Sequence, residues 1–266
     1  MKDACLLVPI HTPKFKYGID FLNSYNKYYN DDHVFLVFST SEESTAFAEI
    51  AAGLRYRSII SPPLQGASPT TEKKWNGLLW IYANTDFVNV GVVDIDTLFI
   101  KHIDYAELFH NYNQRGILYG NNYEYAPGPM ITSPLKFFDT FNQGRLYELV
   151  HEFKTYFWFN DLPVYNKQCF LDFTAHINYP ARAKDLVWFD FDFIPYAYYL
   201  LLTRRFKLEI ITVNGAPLNA IFIEDQKIIP PAVFEQVFAV CKPMWVQQDV
   251  DPALMSQTFM RVHVDR

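Results

Sequence analysis

The first hundred residues alternate between short apolar runs and amphipathic segments. Short apolar runs are typical of buried strands, and apolar residues at helical spacing indicate helices that cover a sheet. The pattern predicts strands at 4–10, 34–38 and 56–60, a fourth strand that starts at Phe87, and intervening helices at 19–29, 40–52 and 68–82. This order predicts an α/β fold with a Rossmann-like, mixed but mostly parallel sheet flanked by helices.

Two of these helices carry start signals. Thr40 and Glu43 have the spacing of a capping box, in which each side chain satisfies a free backbone amide of the first turn. Ser68 and Pro69 are typical of a helix start, because proline lacks the amide that the first turn leaves unpaired. The helices at 40–52 and 68–82 therefore have local support beyond their periodicity.

The pattern is less regular after residue 100. Helices are predicted at 104–113, 134–153 and 161–176. Strands are predicted at 116–119, 188–193, 208–213 and 220–223, the last two around an Asn-Gly turn. Because no repeat or flexible linker divides the chain, we expect a single domain over residues 1–266.

Two carboxylates, Asp94 and Asp96, directly follow the fourth strand. Because side chains alternate along an extended backbone, both are expected on one side, where they repel each other unless a cation lies between them. Mg²⁺ or Mn²⁺ would bind these oxygens and keep positions open for a diphosphate. The pair therefore predicts a metal site at the carboxyl edge of the sheet, and capping of a turn is the alternative.

Composition and charge narrow the class of protein. The chain is half apolar and carries a formal net charge of −6, which argues against nonspecific binding to nucleic acid or to anionic membrane. No apolar stretch reaches the ~18 residues of a transmembrane segment. The widely spaced cysteines Cys5, Cys169 and Cys241 lie in apolar runs and predict free thiols. A soluble, cytoplasmic protein is therefore expected.

The order of elements up to about residue 180 resembles the GT-A-fold glycosyltransferases. Their DxD motif corresponds to Asp94 and Asp96. The resemblance implies a nucleoside diphosphate sugar donor, with a UDP-sugar favoured, held through Mn²⁺ or Mg²⁺. It also implies a nucleotide-sugar-binding half at 1–100 and an acceptor-binding half at 101–266.

A weaker resemblance lies near the C-terminus. The segment Lys242-Pro243-Met244-Trp245 is similar to the Lys-Pro-Trp signature of glycogenin-like, retaining glycosyltransferases, although a methionine interrupts it. Many GT-A enzymes recruit a third metal ligand from this region, which makes His263 the candidate. Asp96 is expected as a direct ligand. Asp94 is expected to bind the metal, directly or through water, or the ribose or sugar of the donor.

Further donor contacts are expected at the end of the first strand and on the third helix. The base and ribose are expected near the strand end, and lysines near the phosphates. The candidate donor-binding residues are Pro9, His11, Thr12, Lys14, Lys73, Lys74 and Asp94, with Lys16 as an alternative to Lys14. For the lysines, a solvated helix or loop face is the alternative interpretation.

An inverting transfer needs a carboxylate that accepts the proton of the attacking hydroxyl. Many inverting GT-A enzymes place this base at a helix start beyond the acceptor loop, which makes Asp161 the candidate; helix capping is the alternative. Further candidates are Asp172, Asp190 and Asp192. The acceptor, a glycan or glycoconjugate, is expected at the aromatic loop 120–129, with Tyr123 and Trp158 stacking on its sugar.

Other activities could use the same acids. A metal-dependent phosphohydrolase of the aspartyl-phosphate kind would carry paired acids near its first strand, where this chain has none. A nucleotidyltransferase would more usually have a glycine-rich loop where residues 12–18 contain one glycine. A degenerate, non-catalytic nucleotide-sugar-binding module is the third alternative.

Overall fold

A computed structural model describes residues 3–99, 102–122, 128–153, 155–156, 163–204, 206–210, 212–213, 216–217 and 245–247. The strands in these ranges are β1 (Ala4–Pro9), β2 (Val34–Phe38), β3 (Arg57–Ile60), β4 (Asn89–Val92), β5 (Thr97–Phe99), β6 (Ile117–Asn122), β7 (Thr155–Tyr156), β8 (Val164–Asn166), β9 (Lys207–Ile210), β10 (Thr212–Val213), β11 (Ala216–Pro217) and β12 (Trp245–Gln247). The α-helices are α1 (Phe15–Tyr28), α2 (Ser41–Ile50), α3 (Pro69–Asn84), α4 (Tyr105–Arg115), α5 (Pro129–Thr132), α6 (Thr140–Phe153), α7 (Lys167–His176) and α8 (Phe193–Thr203). Short 3₁₀ segments lie at Thr12–Lys14, Ser133–Phe137 and Ala183–Asp185.

Five strands form the central sheet in the order β3-β2-β1-β4-β8. β1 pairs in parallel with both β2 and β4, β2 pairs in parallel with β3, and β8 runs antiparallel to β4. Parallel neighbours need crossover connections, and the helices predicted between the first four strands supply them. The predicted fold class, a mixed and mostly parallel sheet flanked by helices, is confirmed.

Both faces of this sheet are covered by helices. Leu6 and Val8 of β1 belong to a core formed with α1, α2 and α4. Cys5 and Leu7 belong to a second core formed with α3, α7 and α8. Because successive side chains of a strand point to opposite faces, a strand buried on both faces has no polar positions, which explains the continuous apolar run of β1.

Helix α3 packs closely against the sheet at Gly77. A methyl group added there would lie 2.6 Å from Leu7 Cδ1 and 2.7 Å from Val37 Cγ2, well inside van der Waals contact. We expect Gly77→Ala to lower the free energy of unfolding by about 1 kcal/mol or more, because overpacking outweighs the better helix propensity of alanine. Urea denaturation would measure the change.

Gly144 in α6 provides the matched control. A methyl group added there would meet no described atom within 4 Å. Gly144→Ala should therefore raise the free energy of unfolding by about 0.5–1 kcal/mol through helix propensity alone. Equal effects of the two substitutions would contradict the close approach of α3 to the sheet.

Both predicted helix starts are confirmed. The Thr40 hydroxyl accepts the backbone N–H of Glu43 at 3.2 Å, as a capping box requires. The Glu43 carboxylate, however, accepts the backbone N–H of Ser39 at 2.9 Å, one residue earlier than the box predicts. Helix α3 begins at Pro69, as predicted.

The strand predicted to lead into the acids is shorter than expected. β4 ends at Val92, so Asp94 and Asp96 lie in the turn between β4 and β5. The predicted strand at 188–193 is also wrong, because this segment forms a turn that leads into α8. Its alternating acids and rings imitate a strand, but its backbone pairs with no other strand among the described residues.

Three predicted helices have different bounds, and the first of them, expected over 19–29, begins at Phe15. The helix expected from 161 begins at Lys167 and is capped by Asn166, because residues 164–166 pair with β4 as β8. The helix expected over 134–153 is divided into a 3₁₀ segment and α6. In place of the predicted strand at 208–213 the structure has β9 and β10, and β10 pairs with β11, which begins at Ala216; the predicted second strand, 220–223, lies outside the described residues.

Three further expectations concern the whole chain. In the parts of the chain that the structure describes, no helix is both long and apolar enough to cross a bilayer. Cys5 and Cys169 are free thiols, and Cys241 lies outside the described residues. The single domain and the cytoplasmic compartment stay predictions.

Candidate active site

The carboxyl ends of β1 and β4 meet at a cavity of about 460 Å³. Its lining residues are Pro9, Ile10, His11, Lys14, Ser39, Leu64, Pro69, Thr70, Lys73, Asp94, Ile95 and Asp96. Parallel strands place their carboxyl ends at one edge of the sheet, which is where ligands of α/β proteins bind. The fold thus brings together the predicted residues Pro9, His11, Lys14, Lys73, Asp94 and Asp96.

Asp94 and Asp96 face this cavity from the turn after β4. Val93, Ile95 and Thr97 are buried, whereas the two acids between them are partly exposed. The alternation predicted from an extended strand therefore persists in the turn, although regular pairing has stopped. Both carboxylates line the same cavity, as a shared cation would require.

Two basic groups that line the same cavity, Lys73 and His11, are affected by burial. The Lys73 side chain is 5% exposed, and its ammonium donates a hydrogen bond to the carbonyl oxygen of Ile10 at 2.7 Å. Burial lowers the pKa of Lys73, and the Glu43 carboxylate partly opposes this shift. Partial burial, together with the charges of Lys73 and Lys14, lowers the pKa of His11. His11 is therefore mainly neutral at pH 7.

Lys74 lies in a buried network that the sequence did not reveal. Its ammonium donates to Asp192 Oδ1 at 2.8 Å and lies 3.5 Å from Asp94 Oδ1. The hydroxyl of Tyr165 donates to Asp192 Oδ2 at 2.6 Å. The interpretation of Lys73 and Lys74 as a solvated helix face is wrong, since both are buried.

A sequence signal for the burial of Lys74 does exist. Lys74 precedes Leu78 by four residues, so it shares a helix face with an apolar residue of the core. A lysine on an apolar helix face needs a buried acceptor, but helix periodicity says nothing about which acid supplies it.

The Glu43 carboxylate connects the segments that follow β1 and β2, beside the cavity. Thr12 Oγ1 donates to Glu43 Oε1 at 3.0 Å, and the amide of Ser39 donates to the other oxygen, so the ends of β1 and β2 are tied together. Burial raises the pKa of the Glu43 carboxyl, but these hydrogen bonds outweigh it and hold that pKa below its usual range. Thr12, predicted as a donor contact, does not line the cavity; its hydroxyl is bound to Glu43.

A second cavity of about 390 Å³ adjoins the first. Its lining residues are Ala67, Ser68, Pro69, Thr70, Thr71, Lys74, Val92, Asp94, Pro163, Trp188, Phe191, Asp192 and Phe193. The two cavities share Asp94 and the first turn of α3. The first is bordered by basic and acidic groups, and the second has an aromatic wall.

The three alternative candidates for the catalytic base differ in their contacts and in whether they line a cavity. Asp172 on α7 is paired with Arg204 and lines neither cavity. Asp190 is fully buried and lines neither cavity, because its carboxylate accepts hydrogen bonds from Ser133, Lys136 and the amide of Val187. Asp192 lines the second cavity with both of its carboxylate oxygens already accepting hydrogen bonds.

The other predicted site residues lie outside the described residues. These are the candidate base Asp161, the candidate metal ligand His263 and the candidate acceptor contacts Tyr123 and Trp158. Their roles stay predictions. Among the residues that the structure describes, no group of three or more His, Cys, Asp or Glu side chains is arranged to hold a metal.

Comparison with known proteins gives structural likeness only. No family model matches the chain, and no curated protein matches it. Core-mannan synthase A (CmsA/Ktr4) from Aspergillus fumigatus, in its Mn/GDP form, aligns over 75% of this chain and 69% of its own, with 10% identity and a TM-score of 0.43.

Two further solved structures align over shorter stretches. TarS 1-349 from S. aureus aligns over 48% of this chain and 39% of its own, with 17% identity and a TM-score of 0.29. Mannose-1-phosphate geranyltransferase from Thermus thermophilus aligns over 48% and 43%, with 12% identity and a TM-score of 0.27. Similarity at this level assigns no function to this chain.

Proposed function

We propose that this protein is a metal-dependent glycosyltransferase of the GT-A type. It transfers a sugar from a nucleoside diphosphate sugar, with a UDP-sugar favoured, to a hydroxyl of a glycan or glycoconjugate. The observation that carries the proposal is the placement of Asp94 and Asp96 in one cavity with Lys14 and Lys73, at the carboxyl edge of a parallel sheet. Carboxylates that bind a cation, facing lysines that bind phosphate, suit a diphosphate ligand.

The acids of the cavity fit Mn²⁺ or Mg²⁺. Asp94 and Asp96 offer hard oxygen ligands that reach the cavity, and two such ligands leave positions for diphosphate oxygens. Because Lys74 lies beside one oxygen of Asp94, we assign direct coordination to Asp96 and coordination through water, or a contact to the donor, to Asp94. A bound ion would neutralise the charge that develops on the leaving diphosphate.

The chain's own groups would bind and orient the donor. Lys14 and Lys73, which line the same cavity as the acids, supply positive charge for the phosphates. His11, mainly neutral, can exchange hydrogen bonds with the base or ribose without competing for the diphosphate. Helix α3 directs its first turn toward both cavities, and the partial positive charge of a helix N-terminus favours an anionic ligand there.

An inverting transfer would need a base that accepts the proton of the acceptor hydroxyl. Asp192 lines the second cavity but accepts hydrogen bonds from Lys74 and Tyr165, so we assign it to the positioning of Lys74. Asp161 stays our proposed base. It precedes Pro163, a lining residue of the second cavity, by two positions in the chain.

Thermal denaturation with UDP-, GDP- and dTDP-sugars, in Mn²⁺ and in EDTA, tests the proposal. We expect one nucleotide class to stabilise the protein in Mn²⁺ by about 2.7 kcal/mol at a hundredfold excess over its Kd, and not in EDTA. Transfer or slow hydrolysis at the sugar would release the nucleoside diphosphate. A phosphohydrolase would instead release the monophosphate, and a binding module would release nothing. No stabilisation by any nucleotide would contradict the proposal.

A further inference from the structure

The second cavity has an aromatic wall that includes an exposed tryptophan. Trp188, Phe191 and Phe193 line it, and Trp188 is 62% exposed. The indole contacts the ring of Phe189, with centroids 4.9 Å apart, and lies 6.3 Å from the ring of Phe191. An exposed tryptophan at the wall of a cavity offers a flat apolar face to a ligand, since water alone solvates that face poorly.

Hydrogen bonds of Asp190 stabilise the turn that carries Trp188. The amide of Val187 donates to the Asp190 carboxylate at 2.8 Å, and the amide of Asp190 donates back to the Val187 carbonyl at 2.8 Å. The hydroxyl of Thr71 donates to the Asp190 carbonyl at 2.6 Å, which joins the turn to α3. The indole is therefore exposed on a fixed support, and a fixed binding surface loses little conformational entropy on binding.

The same cavity also has polar lining residues. It presents the hydroxyl of Thr70, the ammonium of Lys74 and the carboxylate of Asp94. A pyranose ring has an apolar face of C–H groups and an edge of hydroxyls, so it needs an aromatic surface on one side and hydrogen-bonding groups on the other. A volume of about 390 Å³ lies within the range of small-ligand sites, about 300–1,000 Å³.

We propose that Trp188 is the stacking platform for the acceptor sugar and that the acceptor is a pyranoside. This inference rests on the proposed function, which places the donor diphosphate in the first cavity. The donor sugar would then lie at Asp94, a side chain that lines both cavities, and the aromatic residues of the second cavity are left for the acceptor ring. Trp188 was not among the acceptor contacts expected from the sequence, which were Tyr123 and Trp158.

Saturation-transfer NMR with defined glycosides tests the platform. The probes are the methyl glycosides of glucose, galactose, mannose and N-acetylglucosamine and their common disaccharides, with and without UDP and Mn²⁺. We expect at least one probe to bind the wild-type protein and Trp188→Ala to weaken its binding by about fivefold or more. Trp188→Phe should restore most of the affinity, because a smaller ring still offers an apolar face.

Trp80→Ala is the matched control, since Trp80 is 39% exposed on α3 and lines neither cavity. It should bind the probes as the wild type does. Binding of no probe, unchanged binding by Trp188→Ala, or equal losses in both variants would each overturn the platform.

Nucleotide-dependent thermal shifts on the same variants separate the two proposals, because Trp188→Ala should leave them unchanged. If glycosides bind through Trp188 but no nucleotide stabilises the protein, the proposed glycosyltransferase activity is contradicted and the carbohydrate site is not.

Discussion

Asp96→Asn is expected to remove the Mn²⁺-dependent stabilisation by the nucleoside diphosphate sugar. The substitution keeps the size of the side chain but replaces an anionic ligand in a cavity whose second acid is already beside Lys74. We expect the donor Kd to rise by about 100-fold or more in Mn²⁺, which corresponds to about 2.7 kcal/mol. Isothermal titration calorimetry in Mn²⁺ and in EDTA would measure both values.

Asp86→Asn is the matched control for this loss. Asp86 is exposed and precedes β4, so it lies at the end of the strand opposite Asp94 and Asp96. Its substitution should leave the donor Kd unchanged.

Asp94→Asn should weaken binding as well, and it should also disturb Lys74. If Asp96→Asn bound the donor as tightly as the wild type, with the same dependence on Mn²⁺, the assignment of the metal to this pair would be wrong.

Asp192→Ala is expected to lower the free energy of unfolding by about 3–5 kcal/mol. Asp192 is almost fully buried, and its carboxylate accepts hydrogen bonds from Lys74 and from Tyr165. Without this carboxylate, the Lys74 ammonium and the Tyr165 hydroxyl lose their nearest acceptor. Both donors stay buried, so the cost of removing them from water is no longer offset by these hydrogen bonds. Urea denaturation at neutral pH would measure the loss.

A double-mutant cycle identifies the cause of that loss. Lys74→Met combined with Asp192→Ala removes both charges together, and we expect the double variant to be more stable than Asp192→Ala alone by at least about 2 kcal/mol, because the buried ammonium that lost its nearest acceptor is removed as well. Asp32→Ala is the surface control. Its ion pair with Arg57 is about half exposed and should contribute about 1 kcal/mol or less. Additive effects of the Lys74 and Asp192 substitutions would show that the two groups do not depend on each other.

These predictions share one structural element, helix α3. Lys73 extends from it to the end of β1, and Lys74 extends to Asp192 and Asp94. Its first turn forms the boundary between the two cavities, and Gly77 lets it approach the sheet closely enough for these contacts. A shift of α3 would therefore move the lining residues of both cavities together.

Many residues of the first cavity were predictable from the sequence, because the signals for the strands and helices that carry them are local. The apolar runs, the cap at Thr40 and the proline at the start of α3 each depend on neighbours within a few residues. Once the β-α order was established, the rule that parallel strands share one carboxyl edge placed Asp94 and Asp96 near His11 without any knowledge of side-chain contacts. The strand predicted at 188–193 was wrong for the same reason, since alternation is a local pattern that a turn can also show.

The sequence by itself determined the class of sheet, the edge where the acids lie and half of the residues that line the first cavity. Only the tertiary structure decided which charges are buried and what they contact. Lys74 and Asp192 are 118 positions apart, and no periodicity links them. Asp190 becomes a support for Trp188, and Asp192 becomes the partner of Lys74, because α8 and the turn before it pack against α3. Local propensity acts over a few residues, whereas desolvation and ion pairing depend on how distant segments meet.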